Sequence, residues 1–323
     1  MTVKTITLPF RYDQVGSLLR SSNLTEAREQ YKTGTITQEQ LINVENNEII
    51  RLIEKQKENG VLAITDGEFR RSWWHFDFLG GLDGVEYYEK DKGLDFHQME
   101  TRKEGIRVIG KIGFTTHPFV QHFEFLKQHA GEVVVKQTIP SPNMLIRRVD
   151  MNEEVYQDKE EFKQDIIVAY QKAIQAFYDA GCRYLQLDDT AWADLFSAEG
   201  HEKLRAKGLD PAEELKLMQQ MINESIAKKP EDLTVTMHIC RGNYKSTYFT
   251  SGGYDYASEV IFGGLNVDGL FLEFDDERSG SFEPLKYVNR TNLKIVLGLI
   301  TSKAGELEDK EKIKARIQEA ATY

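Results

Sequence analysis

The chain has 323 residues, of which 40% are hydrophobic and 29% charged, a balance that is typical of globular proteins and excludes a largely disordered one. Its 41 basic and 52 acidic residues give a formal net charge of −11, which disfavours nucleic acid and anionic membrane surfaces as partners. Two cysteines, no apolar run of the roughly 18–20 residues that span a membrane, and no signal-peptide core predict a reduced, cytoplasmic protein.

Strand-like and helix-like blocks alternate along the chain. The predicted strands are residues 11–16, 61–66, 133–139, 184–187, 233–237, 270–272 and 294–297. The predicted helices are residues 37–59, 159–180, 211–228, 256–262 and 309–321. Such alternation predicts a parallel sheet.

Seven strands at this spacing favour an α/β fold of the (β/α)8 TIM-barrel type that lacks its last strand, and a doubly wound open sheet is the alternative. We predict one barrel domain over residues 1–323, with an inserted excursion at about 72–116 and a hairpin near 107–114. The sequence contains no signal for an oligomeric state.

Polar groups follow five of the predicted strands. They are Gly16-Ser17, Asp66-Gly67-Glu68, Asp188-Asp189, His238-Ile239-Cys240 and Glu273. Because the carboxyl ends of barrel strands carry the active site, we expect these groups to face one cleft.

His238 and Cys240 are two residues apart in an extended segment, so their side chains point to one side and suit a zinc ion. Glu273, one strand further on, would add an oxygen ligand. A lone His-x-Cys motif is also compatible with a buried structural cysteine at position 240, since a buried cysteine is usually a small apolar residue. We interpret the other cysteine, Cys182, as structural.

Carboxylates at one rim suit a cationic group such as a substrate ammonium. Glu68 and Asp188 are the candidates for this role. An aspartate after a strand also commonly caps the next turn, and this is the interpretation that we favour for Asp189. For Glu68 and Asp188 both interpretations stay open.

Five segments taken together resemble the catalytic barrel of cobalamin-independent methionine synthases, above all their shorter one-barrel bacterial relatives. The segments are VGSLLR (15–20), ITDGEFRR (64–71), LQLDD (185–189), HICRGN (238–243) and FLEFD (271–275). They occur in the family's order and span nearly the whole chain.

The resemblance implies a zinc-dependent methyltransferase that makes methionine from homocysteine, with 5-methyltetrahydrofolate or a simpler methyl donor. It implies zinc ligands at His238, Cys240 and Glu273. It also implies that the Gly16-Ser17 turn binds the carboxylate of homocysteine and that Glu68 and Asp188 bind its ammonium. The alternatives are a homocysteine- or amino-acid-binding relative without catalysis, and a metal-free decarboxylase-like barrel enzyme.

The sequence departs from the family's pattern in several places. The N-terminal half of the full synthases is absent, and residues 140–149 contain no aromatic residue of the kind that stacks on the pterin. No histidine follows the seventh predicted strand, where Lys303 is the nearest candidate. The family's last zinc ligand, a cysteine after an eighth strand, has no counterpart. We interpret the chain as a truncated form and expect it to hold zinc weakly or not at all.

Overall fold

The computed structural model describes residues 8–93 and 101–323 in full, together with the backbone of two short strands between them. The strands are β1 (Ala63–Ile64), β2 (Asp83–Glu89), β3 (Asp95–Phe96), β4 (Met99–Glu100), β5 (Glu104–Gly113), β6 (Val134–Val135), β7 (Gln137–Pro140), β8 (Tyr184–Asp189), β9 (Thr234–Ile239), β10 (Gly269–Glu273) and β11 (Lys294–Gly298). The α-helices are α1 (Ser22–Lys32), α2 (Gln38–Glu58), α3 (Phe76–Leu79), α4 (Pro118–Ala130), α5 (Pro142–Arg148), α6 (Lys159–Asp179), α7 (Ala198–Ala206), α8 (Pro211–Ile226) and α9 (Lys310–Ala320).

The parallel strands form one arc in the order of the sequence. Strands β7 to β11 pair in succession, and β1 pairs with β6. The Lys136 N–H donates to the Ile64 carbonyl at 2.9 Å, so β6 and β7 behave as one strand interrupted at Lys136. Consecutive order without a reversal is the topology of a TIM-type barrel and differs from that of a doubly wound sheet. Within the described residues, the hydrogen-bonded wall is open between β11 and β1.

The prediction of a first strand over residues 11–16 is wrong, because this segment is a turn followed by irregular chain. Its backbone bonds to side chains of the barrel wall instead of to a neighbouring strand. The Lys136 ammonium donates to the Gln14 carbonyl at 3.0 Å, and the Gln186 amide donates to the Val15 carbonyl at 2.9 Å.

Lys136 is a buried charge at this contact. Its side chain is 0% exposed, and its ammonium lies 3.9 Å from the Asp13 carboxylate and 4.2 Å from the centre of the Phe271 ring. The Tyr184 hydroxyl also donates to Asp13. Burial lowers the pKa of Lys136 to about 8, although the charge of Asp13 opposes the shift.

The helix predicted over residues 37–59 is confirmed as α2, and local capping explains its start. The Thr37 hydroxyl accepts from the Gln40 N–H at 3.2 Å, and the Gln40 side chain accepts from the Thr37 N–H at 2.8 Å. The helix predicted over 256–262 is instead a 3₁₀ turn at Asp255–Ala257 followed by a π-helical segment at Glu259–Gly264.

Residues 72–116, predicted as an inserted excursion, contain an antiparallel pair. The hairpin predicted near 107–114 is wrong, because nearly all of these residues lie in the single strand β5, whose partner is β2. Buried side chains of this pair, Val85 and Ile106, belong to the same apolar cluster as Ile139 of β7. None of the helices in the described part of the chain is long and apolar enough to cross a membrane.

Candidate active site

Glu68 stands in a tight turn just after β1. Gly67 and Glu68 have φ angles of +64° and +59°, so both lie in the left-handed region, which a glutamate rarely adopts. The Thr65 hydroxyl accepts from the Gly67 N–H at 3.1 Å, and the Asp66 carboxylate accepts from the Glu68 N–H at 2.9 Å. The turn therefore fixes where the Glu68 side chain leaves the backbone, and unusual backbone of this kind concentrates at functional positions.

The Glu68 carboxyl group is buried beside a guanidinium and a hydroxyl. Its Oε1 lies 3.6 Å from Nη1 of Arg71 and accepts from the Thr138 hydroxyl at 3.5 Å. Burial raises the pKa of Glu68, and the charge of Arg71 opposes that rise. Arg71 is itself held by the Thr138 carbonyl at 2.5 Å and hydroxyl at 2.9 Å. The sequence predictions missed Arg71, although its position three residues after Glu68 was an available signal.

Asp188 lies near the end of β8, where it pairs with Pro140 of β7 and His238 of β9. The Gln186 amide donates to its Oδ1 at 2.5 Å. Burial, with a further contribution from the charge of Glu68, raises the pKa of Asp188 to about 8. Two buried carboxyl groups that influence each other in this way are stabilised by a cation, because a nearby positive charge favours the ionised form of both.

Asp189 has a different role, since its carboxylate is saturated by donors of the protein. It accepts hydrogen bonds from the Ser141 hydroxyl at 2.6 Å, the Asn143 amide at 2.9 Å, the Trp192 indole at 3.1 Å and the Ala191 N–H at 2.6 Å. These bonds tie the loops that follow β7 and β8 together and support the capping role favoured for Asp189.

Gly16 and Ser17 are exposed and lie next to the Glu68 turn. The N–H of the following residue, Leu18, donates to the Gly67 carbonyl at 3.1 Å. The predicted carboxylate-binding turn and the predicted ammonium-binding residue Glu68 are therefore neighbours, even though no strand precedes Gly16.

His238 and Cys240 lie at the end of β9 and just beyond it, and both are half-buried. His238 Nδ1 lies 2.9 Å from the Phe271 carbonyl oxygen, so Nδ1 carries the proton of the neutral ring and Nε2 keeps its lone pair. Burial lowers the pKa of His238, which favours this neutral form. Burial, reinforced by the charge of Glu273, raises the pKa of the Cys240 thiol to about 12.

The Glu273 carboxylate is bound by three donors. Its Oε2 accepts from the Arg241 N–H at 2.7 Å, and its Oε1 accepts from the Arg278 guanidinium at 2.8 Å and lies 3.5 Å from the Lys303 ammonium. Burial acts to raise the pKa of Glu273, but these partners outweigh it and the pKa lies below its ordinary value. Neither Arg278 nor Lys303 was predicted as a partner of this carboxylate.

The predicted metal ligands do not form one set in this structure. Among residues 8–93 and 101–323, no three His, Cys, Asp or Glu side chains are arranged to hold a metal ion. His238 and Cys240 offer a nitrogen with a free lone pair and a sulfur, which are donors that suit zinc. Glu273 comes from the neighbouring strand, but a lysine and an arginine already balance its charge.

Comparison with known proteins identifies the family. Residues 11–323 match the family model described as the catalytic domain of cobalamin-independent synthases. The chain belongs to this family, whose catalytic domains are TIM-type barrels and whose members are methyltransferases of the methionine synthase type. The barrel predicted from the sequence is thereby confirmed.

Several curated proteins are similar over most of this chain. The uncharacterized proteins YxjG and YxjH of Bacillus subtilis (strain 168) are 56% identical over 316 residues and 55% identical over 315 residues. Each alignment covers 98% of this chain and 84% of the relative. A methionine synthase of Sulfurisphaera tokodaii is 24% identical over 301 residues, which cover 93% of this chain and 77% of that protein.

Two solved structures show the same fold. A proposed vitamin-B12-independent methionine synthase from Listeria monocytogenes has 50% identity and a TM-score of 0.80, with 97% of this chain and 87% of that chain covered. A B12-independent methionine synthase from Shewanella sp. W3-18-1, solved in complex with selenomethionine, has 17% identity and a TM-score of 0.67, with 89% and 79% covered.

Proposed function

We propose that this chain transfers a methyl group to the thiol of homocysteine and forms methionine, with 5-methyltetrahydrofolate or a simpler methyl donor and with zinc as cofactor. One observation carries the proposal: the buried carboxyl groups of Glu68 and Asp188 lie beside the strand end that bears His238 and Cys240. Asp188 pairs directly with His238 between β8 and β9. A site for an amino acid and a pair of metal-ligating side chains are therefore adjacent.

Homocysteine carries an ammonium, a carboxylate and a thiol, and the site has a complement for each. Glu68 and Asp188 suit the ammonium, whose charge favours ionisation of both carboxyl groups. The exposed Gly16-Ser17 turn next to Glu68 suits the carboxylate, which backbone N–H groups bind well. Holding the ammonium and the carboxylate, which share the Cα atom, fixes the direction of the thiol and lowers the entropy cost of the reaction.

His238 and Cys240, together with Glu273 once its basic partners withdraw, are the residues that would hold zinc. Zinc, when bound, lowers the pKa of a coordinated thiol and so supplies the nucleophilic thiolate at neutral pH. In the transfer, a bond forms between the sulfur of homocysteine and the methyl carbon while the bond between that carbon and the donor breaks. The thiol proton leaves to solvent, and the donor's leaving atom keeps the bonding electron pair. A leaving folate nitrogen also takes up a proton, whereas a leaving sulfonium sulfur becomes a neutral thioether without one.

The second candidate is an amino-acid-binding relative without catalysis. It is favoured by the ion pairs of Glu273 with Arg278 and Lys303, which engage the carboxylate that the family resemblance assigns to zinc. A metal-free decarboxylase-like enzyme is less favoured, because the family model that matches is that of the synthases.

A methyl-transfer assay separates the candidates. The full chain, supplied with zinc, is incubated with homocysteine and in turn with 5-methyltetrahydrofolate, its triglutamate form and S-methylmethionine, and methionine is measured by mass spectrometry. Product that is lost in Asp188→Asn supports the enzyme. Calorimetric binding of homocysteine without product from any donor supports the binding protein. Absence of both binding and product contradicts both candidates.

A further inference from the structure

A cavity of about 400 Å³ lies between α1, α2 and the chain just after the Glu68 turn. Six of its twelve lining residues are basic and two are acidic. The basic residues are Arg20, Arg28, Lys32, Arg70, Arg71 and Arg102. This concentration of positive charge contrasts with the net charge of −11 on the chain as a whole.

The basic residues of the cavity outnumber their acidic partners. Arg71 lies 3.6 Å from Glu68 and Arg102 lies 3.3 Å from Glu104, two carboxylates outside the cavity. Glu45 is shared by Arg28 at 3.1 Å and Arg70 at 3.3 Å, and Glu29 pairs only with Lys32, at 2.6 Å, among the described residues. One carboxylate therefore faces two guanidinium groups, and the other balances a single exposed ammonium.

Arg20 shows the excess most clearly. Its guanidinium donates to the backbone carbonyls of Glu68 at 2.7 Å and Arg71 at 3.0 Å, which accept hydrogen bonds but carry no net charge. Burial lowers the pKa of Arg20 and the positive charge of Arg28 lowers it further, while nearby carboxylates, Glu68 first among them, oppose the shift. Such repulsion between cations is relieved by a bound anion.

Two of the guanidinium groups also have a free donor. Within the described residues, Nε of Arg70 and Nε of Arg28 are buried and have no hydrogen-bond partner. The Arg70 side chain is only 8% exposed, so water does not readily replace the missing acceptor. A buried donor without a partner carries an energetic cost. An oxyanion bound in the cavity would remove this cost once the guanidinium group turns toward it.

We propose that this cavity binds a small ligand with two or more carboxylate or phosphate groups. Planar guanidinium groups suit such oxyanions because they donate two parallel hydrogen bonds. The cavity is distinct from the Glu68–Asp188 site but adjoins it, since Arg20 and Arg71 line the cavity and also contact Glu68. The inference holds whether or not the chain transfers methyl groups.

Titration calorimetry on the full chain at low ionic strength tests the proposal, with inorganic triphosphate and triglutamate as probes. Triglycine, which has a single carboxylate and no net charge, is the control. We expect saturable binding with a Kd below about 1 mM for at least one probe and none for triglycine. Triphosphate alone would assign a phosphate ligand, triglutamate alone a carboxylate ligand, and both would assign the shared oxyanion chemistry. Failure of both probes to saturate would overturn the proposal.

Variants connect the binding to this cavity. Lys32→Gln should weaken it roughly two- to fivefold, as for loss of one exposed charge. Arg70→Lys keeps the charge but removes the Nε–H, and should weaken it roughly tenfold. Lys314→Gln is the matched control, because Lys314 is 65% exposed and pairs with a glutamate three residues away, as does Lys32, which is 61% exposed. Equal weakening by Lys32→Gln and Lys314→Gln, or unchanged affinity in Arg70→Lys, would contradict the assignment.

Discussion

The ammonium of Lys303 lies 3.5 Å from Oε1 of Glu273, the carboxylate that the family resemblance assigns to zinc. Arg278 donates to the same oxygen at 2.8 Å. Two basic side chains therefore already contact the carboxylate oxygen that a divalent cation would bind. A metal ion that used Glu273 as a ligand would have to displace them.

Replacing Lys303 with Gln should raise the affinity for zinc, because the metal no longer competes with the ammonium for Glu273. Loss of a competing ion pair worth about 1 kcal/mol corresponds to roughly a fivefold lower Kd. Competition with a chromophoric chelator measures the change, and Lys314→Gln on the exposed face of α9 is the control. Unchanged or weaker zinc binding in the Lys303 variant would show that Lys303 does not compete.

Zinc binding should depend on Cys240 and not on Cys182. Burial raises the pKa of both thiols to about 12, so each is protonated at neutral pH. Uptake of zinc at Cys240 therefore releases a proton, and the affinity should rise by up to roughly tenfold per pH unit in the neutral range. Metal analysis of Cys240→Ser should show loss of zinc, whereas Cys182→Ser should retain it. Equal stoichiometry in both variants would exclude Cys240 as a ligand.

Replacing Asp188 with Asn should weaken homocysteine binding by roughly 1–3 kcal/mol, because the ammonium loses a charged hydrogen-bond partner. Calorimetry with homocysteine measures the loss. The same titration with 4-mercaptobutyrate, which is homocysteine without its ammonium, should show little difference between the two proteins. A variant that binds homocysteine as tightly as the parent would mean that Asp188 has no role in binding the ammonium.

Asp188 should also make the stability of the folded protein depend on pH. Its pKa of about 8 in the folded protein lies above its ordinary value of 3.8, so between these pH values the folded state holds a proton that the unfolded state has lost. The free energy of unfolding should therefore fall as the pH rises through this window, by at most about 1.4 kcal/mol per pH unit, and level off above about pH 8. Urea denaturation of Asp188→Asn should lack this component. If the free energies of unfolding of the parent protein and of Asp188→Asn differ by a constant amount from about pH 5 to 8, the pKa of Asp188 is not raised.

Gly67→Ala should destabilise the fold more than Gly34→Ala does. Both glycines have positive φ, +64° and +71°, so both substitutions carry the backbone cost of about 1 kcal/mol. At Gly67 the new Cβ would also lie 2.5 Å from Cδ2 of Leu52, whereas nothing lies within 4 Å at Gly34. Chemical denaturation gives the free energy of unfolding of both variants, and the difference between their losses is the steric cost of the contact with Leu52. Equal losses would mean that the Leu52 side chain moves aside without cost.

Local signals allowed several elements to be predicted. The reciprocal hydrogen bonds of Thr37 and Gln40 involve residues three apart, and therefore they can be read from the sequence. The placement of Asp188 and His238 at strand ends likewise followed from short apolar runs. Helix α1 was missed because it buries only Leu24 and Ala27 and so lacks an apolar stripe.

Contacts between distant residues explain what could not be predicted. The pairing of Glu273 with Lys303 depends on where the loop after β11 runs, thirty residues away in sequence. Residues 11–16 have a strand-like pattern, but their backbone partners are the side chains of Lys136 and Gln186. No local pattern distinguishes such a partner from a neighbouring strand.

The contact between Asp13 and Lys136 makes the irregular N-terminal segment part of the protein's interior. Lys136 is sealed from water, and Asp13 is the carboxylate that lies beside its ammonium. Without residues 13–15 the barrel would enclose the Lys136 ammonium without the Asp13 carboxylate. The Tyr184 hydroxyl would lose its acceptor, and the Gln186 amide would keep only Asp188. Removing residues 13–15 should therefore destabilise the barrel as a mutation in the hydrophobic core does. A shortened or fused chain that begins inside this segment should fail to assemble the barrel.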